Sequence, residues 1–174
     1  MNHKVLISLG SNMGNREENI NHAIYCIKSD LGTVLAQSPL YESVSWGYDD
    51  SNYLNNVLCL TTSLEPLELM DALLQIELNQ GRERNQSVGY EARIIDIDII
   101  LIEGLVINHP KLKVPHPRMH LRRFVLKPGV DIAPDWIHEL KSQSLAESLI
   151  ECIDDSKIIP VSYTHLTLPT NREV

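Results

Sequence analysis

Three cysteines, Cys26, Cys59 and Cys152, are all that this 174-residue chain contains. They are far apart, odd in number and form no CxxC pair. A disulfide framework is excluded, and buried free thiols in a reducing cytosol are expected. Long apolar runs are missing too. No stretch approaches the ~18 residues of a membrane span. The apolar stretch after Met1-Asn2-His3-Lys4 is too short for the core of a signal peptide. A cytoplasmic protein without a membrane partner is expected. Positive charge is the third shortage: 15 Lys and Arg stand against 23 Asp and Glu, a formal net charge of −8. Such a chain is a poor coat for nucleic acid, because phosphate contact needs clustered Lys and Arg. What is present suits an ordinary globular protein. Hydrophobic residues make up 43% and charged residues 22%, enough for one core in one domain.

The scarce positive charge is concentrated. Residues 82–123 hold eight Lys/Arg and five Asp/Glu, a local +3 in an otherwise acidic chain. That island suits a compact anion better than a long polyanion.

Hydrophobic spacing predicts a β-α-β-β-α-β order. Lys4–Leu9 reads as a buried strand, and Gly10–Asn15 as a turn. Asn15 with Glu18 starts a helix in the manner of a capping box; Ile20, Ala23, Ile24, Ile27 and Leu31 carry its apolar face, and Gly32 ends it. Val34–Tyr41 and Tyr53–Thr61 read as strands. A helix starts at Ser63-Leu64-Glu65-Pro66 and closes at Gly81. Arg93–Ile102 is the strongest strand in the chain. This order is that of a ferredoxin-like α+β sandwich, an antiparallel sheet with helices packed mainly on one face. Polar loops span 43–52 and 82–92. Phe124-Val125-Leu126 is a further apolar run, and Trp136–Ile153 is expected to be helical. One domain over residues 1–160 is expected. Residues 161–174 resemble a translated cloning adaptor or an irregular tail, and are set apart.

Asp96 and Asp98 stand in Arg93-Ile94-Ile95-Asp96-Ile97-Asp98-Ile99-Ile100. On a strand, positions two apart share a face, with Cα atoms ~6.6–6.8 Å apart. Ile95, Ile97 and Ile99 then turn to the opposite face as core. Paired carboxylates on one strand can hold hard cations, and all-oxygen ligation suits Mg²⁺. A merely solvent-facing polar side is the other reading of the same alternation. His116 lies between Pro115 and Pro117 near Lys111, Lys113 and Arg118, where a stiff backbone could hold an imidazole on a phosphate. Zinc on His109, His116 and His120 is disfavoured by the prolines and by the lack of a nearby cysteine. Gly10-Ser11-Asn12 is neither a P-loop nor GxGxxG. No Ser-His-Asp order is evident.

Taken together these pieces resemble the 6-hydroxymethyl-7,8-dihydropterin pyrophosphokinase family of folate biosynthesis. The matching residues are Gly10-Ser11-Asn12, Tyr53-Leu54-Asn55, Glu77 with Gly81-Arg82-Glu83-Arg84, and Arg93 through Asp98. Val114-Pro115-His116-Pro117, Arg122 through Leu126 and Asp131-Ile132-Ala133-Pro134 complete the set. The resemblance implies a ferredoxin-like fold and transfer of pyrophosphate from ATP to the pterin's hydroxymethyl group. It implies two Mg²⁺ ions on Asp96 and Asp98, and a pterin ring stacked between Tyr53 and Phe124. Asn55 would bond the ring's polar edge, and backbone groups around Ser43, Val44 and Trp46 would complete that pocket. ATP would meet Glu77, Arg84, Ile99, Lys111, His116 and Arg122, while Arg82 and Arg93 would approach the reacting phosphates from loops that close as lids. Partners would be these two small molecules, with a monomer expected. A catalytically silent nucleotide- or RNA-end-binding module and a metal-dependent phosphohydrolase are the rival readings.

Overall fold

The computed structural model describes residues 1–43, 52–81 and 94–161. The chain begins with β1 (His3–Ser11), α1 (Arg16–Asp30), β2 (Thr33–Gln37), β3 (Tyr41–Ser43), β4 (Tyr53–Thr62), α2 (Pro66–Asn79) and β5 (Asp96–Ile102). The hairpin β6 (Ile107–His109) and β7 (Leu112–Val114) follows, then a 3-10 turn at Met119–Leu121 and α3 (Arg123–Ile132). A second hairpin, β8 (Ile137–His138) and β9 (Gln143–Ser144), leads into α4 (Leu145–Glu151) and β10 (Ile158–Pro160).

The helix ends form as their residues dictate. Asn15 caps α1, its side-chain oxygen accepting the Glu18 N–H at 3.1 Å. Pro66 opens α2, and Gly81 follows its end at φ +97°, a conformation open mainly to glycine. Gly32, after α1, is needed for a different reason. A Cβ there would meet the Thr61 carbonyl oxygen at 2.2 Å, so the chain passes β4 only without a side chain.

The main sheet runs β10-β3-β4-β1-β5, with β2 also paired to β4, and all of these pairings are antiparallel. This is the expected ferredoxin-like sandwich. α1 and α2, the two longest helices, cover one face. Val5, Ile7, Leu9, Ile20, Ile27, Leu58, Leu69, Leu73 and Ile97 meet there, and burial of each such side chain stabilises the fold by about 1.5–3 kcal/mol. α3 and α4 cover part of the other face, over Leu6, Val57, Ile100 and Leu101.

Two expected elements differ, and one apolar run proves to be part of a helix. The strand over Val34–Tyr41 is two strands, β2 and β3, interrupted at Ser38-Pro39-Leu40. Ser38 keeps the connection to β4: its N–H donates to the Val57 carbonyl and its hydroxyl accepts the Val57 N–H, both at 2.9 Å. Trp136–Ile153 is not one helical region. Ser142, at φ 52°, turns the β8–β9 hairpin, and Ser144 then starts α4 with a capping box to Glu147. The Phe124–Leu126 run belongs to α3, which contains Pro128. Val125, Leu126, Pro128 and Gly129 are all buried, so packing carries the helix through the proline. Of the cysteines, Cys59 is buried, Cys26 and Cys152 are half-buried, and all three are free.

Candidate active site

Three neighbouring strands change character along one line on the second face of the sheet. Across β4, β1 and β5, Cys59, Leu6 and Leu101 form one rung and belong to the core under α3 and α4. On the next rung Ser8 stands between Val57 and Asp98, and on the one after it Gly10 stands between Asn55 and Asp96. The side chains shrink on the central strand and become polar on its neighbours. The helices cover the first rung, and the later ones form the floor of a cleft of about 420 Å³.

Gly10 shapes that floor. A Cβ there would stand 2.8 Å from Asn55 Oδ1 and 3.6 Å from Tyr53 Cδ1. The bare strand lets the Asn55 carboxamide lie across it. Asn55 is buried, and its Nδ2 donates to Ser43 Oγ at 2.7 Å, which fixes the plane of the amide. Ser43 comes from β3, next to Tyr53 on β4. Tyr53 and Phe124 both line the cleft, one from the sheet and one from the first turn of α3. The aromatic walls and amide expected from the sequence are therefore in one place.

Asp96 and Asp98 line the same cleft, while Ile95, Ile97 and Ile99 are at most 2% exposed in the core on the other face. Arg118, Leu121 and Arg122, from the 3-10 turn and its flanks, also line the cleft. The Arg122 guanidinium lies 5.7 Å from the Phe124 ring centroid, so one cation supports an aromatic wall in the cleft that the acids also line. Among the described residues no group of three or more His, Cys, Asp or Glu could hold a metal. Two carboxylates with no soft ligand do not make a closed zinc cage. They fit Mg²⁺, which takes one or two carboxylates and completes its shell with water and phosphate oxygens.

His116 is held beside β5, within electrostatic reach of Asp98. A bulge in β5 places it: Ile7 pairs with Ile99 and Leu6 with Leu101, leaving Ile100 unpaired with β1. The Ile100 carbonyl, on the outer edge, accepts the His116 N–H at 2.9 Å. His116 Nδ1 accepts the Arg118 N–H at 3.1 Å, so the neutral ring carries its proton on Nε2. Burial pushes the His116 pKa down. Asp98 opposes that shift, and Arg122 and Arg118 reinforce it.

Other expected residues stand elsewhere. Glu77 is buried on α2, and its Oε1 accepts the Ile97 N–H at 2.7 Å on the outer edge of β5. The Ile99 side chain is core, so only its backbone can face a ligand. Lys111 is exposed at the β6–β7 turn, its N–H donating to His109 Nδ1 at 3.0 Å. Val44, Trp46, Arg82, Arg84 and Arg93 lie outside the described residues, as do the loop 82–92 and all of the loop 43–52 but its two end residues. His120 sits by His138, so His109, His116 and His120 do not converge. Ser8, Arg118 and Leu121 were not expected in the site. For Ser8 the available signal was the period-2 series Leu6, Ser8, Gly10, which tapers along one face.

The family model for 7,8-dihydro-6-hydroxymethylpterin-pyrophosphokinase matches residues 6–134. A Pseudomonas aeruginosa protein named 2-amino-4-hydroxy-6-hydroxymethyldihydropteridine pyrophosphokinase is 42% identical over 76% of this chain and 82% of its own. A Synechocystis protein of the same name is 34% identical over 92% of this chain and 81% of its own. The folic acid synthesis protein of Pneumocystis carinii is 41% identical over 92% of this chain, which spans only 21% of that longer protein. Among solved structures, Plasmodium falciparum HPPK-DHPS with pteroate aligns at a TM-score of 0.71 and 14% identity, over 87% of this chain and 42% of that one. At that identity the likeness speaks for the fold.

Proposed function

Because the chain belongs to the 7,8-dihydro-6-hydroxymethylpterin-pyrophosphokinase family, whose members are ATP-dependent diphosphotransferases of folate biosynthesis, we propose that it carries out that reaction at the cleft over Gly10. The alcohol oxygen of 6-hydroxymethyl-7,8-dihydropterin attacks the β-phosphorus of ATP, the bond to the α–β bridging oxygen breaks, and AMP leaves. The alcohol proton is released, and the product is the pterin pyrophosphate.

The observation that supports this reading is the joining of two unlike half-sites in one cleft. A flat ring with polar edges fits between Tyr53 and Phe124, with Asn55 and Ser43 at its rim. A triphosphate fits between the carboxylates and the cations Arg118 and Arg122. Asp96 and Asp98 would hold Mg²⁺, which supplies charge neutralisation for the phosphates. Neutral His116, with its proton on Nε2, is a donor suited to a phosphate oxygen. Transfer of this kind depends on in-line placement and charge stabilisation more than on covalent help. A floor of backbone and short side chains holds both substrates without filling the space between them. We propose ATP contacts also for Glu77, the Ile99 backbone, Lys111 and Arg84, pocket contacts for Val44 and Trp46, and phosphate contacts for Arg82 and Arg93.

The test is product analysis. Incubation with Mg²⁺ and ATP is expected to release AMP only when the pterin alcohol is present. ADP or inorganic phosphate formed without pterin would replace this reading with hydrolysis. Asp98→Ala is expected to lower turnover by at least about a hundredfold in a folded protein, because a ligand is lost while the core face of β5 is untouched. Undiminished magnesium-dependent turnover would remove Asp98 from the metal site.

A further inference from the structure

We propose that Arg16 is a positioning residue for the pterin side of the cleft, acting through the ends of β3 and β4. The inference rests on the pterin reading given above. Arg16 is the first residue of α1 and lines no part of the cleft. Its Nη1 donates to Glu42 Oε1 at 2.9 Å and to the Asn52 carbonyl oxygen at 2.7 Å. Glu42 precedes Ser43 on β3, and Asn52 precedes Tyr53 on β4. Ser43 and Tyr53 form the terminal pair of a ladder only three residues long. One guanidinium thus spans both strands at the rung that supplies two cleft residues.

The support for Arg16 is itself fixed. Asn19, in the next turn of α1, donates from Nδ2 to Ser11 Oγ at 3.1 Å and to the Met13 carbonyl at 2.7 Å. Gln80, just past α2, donates to the Asn19 carbonyl at 3.0 Å. The helix start is tied to the end of β1, and Arg16 carries that fixity to β3 and β4. Ser43 then passes it on, because its hydroxyl accepts from Asn55 Nδ2. The Arg16–Glu42 pair is partly open to solvent, with side chains 28% and 38% exposed. Such a pair adds little to global stability. Its consequence is local, in the placement of Ser43, Tyr53 and Asn55.

The test compares Arg16→Ala, Arg16→Lys and Glu42→Gln with the wild-type protein. Equilibrium binding of pterin alcohol and of Mg²⁺-ATP is measured separately, with thermal unfolding alongside. Loss of charge-assisted hydrogen bonds predicts that Arg16→Ala weakens pterin binding by about tenfold and ATP binding by less than about twofold. The melting temperature should barely move. Arg16→Lys should recover part of the loss, and Glu42→Gln should fall between wild type and Arg16→Ala. Unchanged pterin affinity in Arg16→Ala would overturn the inference alone. So would equal losses for both ligands with a lowered melting temperature, the mark of a merely structural residue. Wild-type protein that binds no pterin would overturn the cleft assignment, and this inference with it.

Discussion

At Gly10 a single methyl group would decide whether Asn55 can lie across the floor of the cleft. The backbone there is not in the left-handed region, so alanine is tolerated by φ, and the conflict is only with Asn55 Oδ1 at 2.8 Å. Gly10→Ala is expected to fold normally, to bind pterin about tenfold more weakly and to bind ATP almost unchanged, since a displaced amide loses a ligand hydrogen bond. Titration calorimetry with each ligand checks this. Asn56, on the same strand but the opposite face, is fully buried, and neither amide atom has a hydrogen-bond partner among the described residues. A buried polar group left unpaired costs about 1–3 kcal/mol. Asn56→Leu, of similar shape, should therefore raise the urea midpoint without touching the cleft. The residues of the site were unequally legible for related reasons. Asp96 and Asp98 break an isoleucine run with period 2, a pattern visible in one dimension. Gly10 reads as the start of a turn because a missing side chain gives no signal of the partner that needs the space.

At the scale of elements, the two long helices and the central strands were legible, because their caps and periodicities are local. What stayed hidden depends on pairing. The β5 bulge puts Ile100 and Leu101 in the same core although they are consecutive, and nothing within Ile99-Ile100-Leu101-Ile102 marks which residue is extra. α3 was hidden by Pro128 and Gly129, which stop most helices. Here tertiary contact overrides that tendency: a Cβ on Gly129 would touch Leu145 Cδ1 of α4 at 3.4 Å, a measure of how closely the two helices pack. Glu77 shows how one residue can tie two elements together. The resemblance assigns it to ATP, and the fold gives it the Ile97 N–H on the outer edge of β5. Removing that acceptor should leave a buried donor unpaired and free α2 from the strand that carries both aspartates. Glu77→Ala is expected to cost about 1–3 kcal/mol of stability in chemical denaturation. An unaltered unfolding midpoint with weakened ATP binding would instead assign Glu77 wholly to the nucleotide.

The whole molecule should show a pH window of stability shaped by two clusters on the cleft side of the sheet, with His116, whose pKa burial lowers, adding to the acid limb and Cys59, whose thiol burial pushes up, to the alkaline one. In the first, the Tyr41 hydroxyl donates to Asp131 Oδ2, and Lys127 Nζ, 2.8 Å from Asp131 Oδ1, lies 6.0 Å from the Tyr41 ring centroid. The cluster joins β3 to α3. Burial, with Asp131 next, pushes the Tyr41 phenol up to about 12 from an ordinary value of 10.0. The unfolded chain therefore loses this proton first, and stability is lost as pH rises from about 10 towards about 12. In the second cluster, His138 is buried with its ring edge-on to His120, the centroids 6.1 Å apart. Burial lowers both pKa values, with Lys141 adding to each and His120 adding to His138. Here the unfolded chain takes up protons first, so stability falls as pH drops below about 6.5, by at most about 1.4 kcal/mol per pH unit for each imidazole. Asp154 extends the acid limb. Burial raises its pKa, but hydrogen bonds from Ser156 and the Arg123 N–H outweigh that and hold it below 3.8, so its contribution is lost as pH falls further. Urea midpoints measured across this range should be flat near neutrality and decline on both sides. Tyr41→Phe should make the alkaline limb shallower and leave the acid one, and His138→Phe should do the reverse near pH 6; if either variant runs parallel to the wild type at every pH, that cluster does not contribute to its limb.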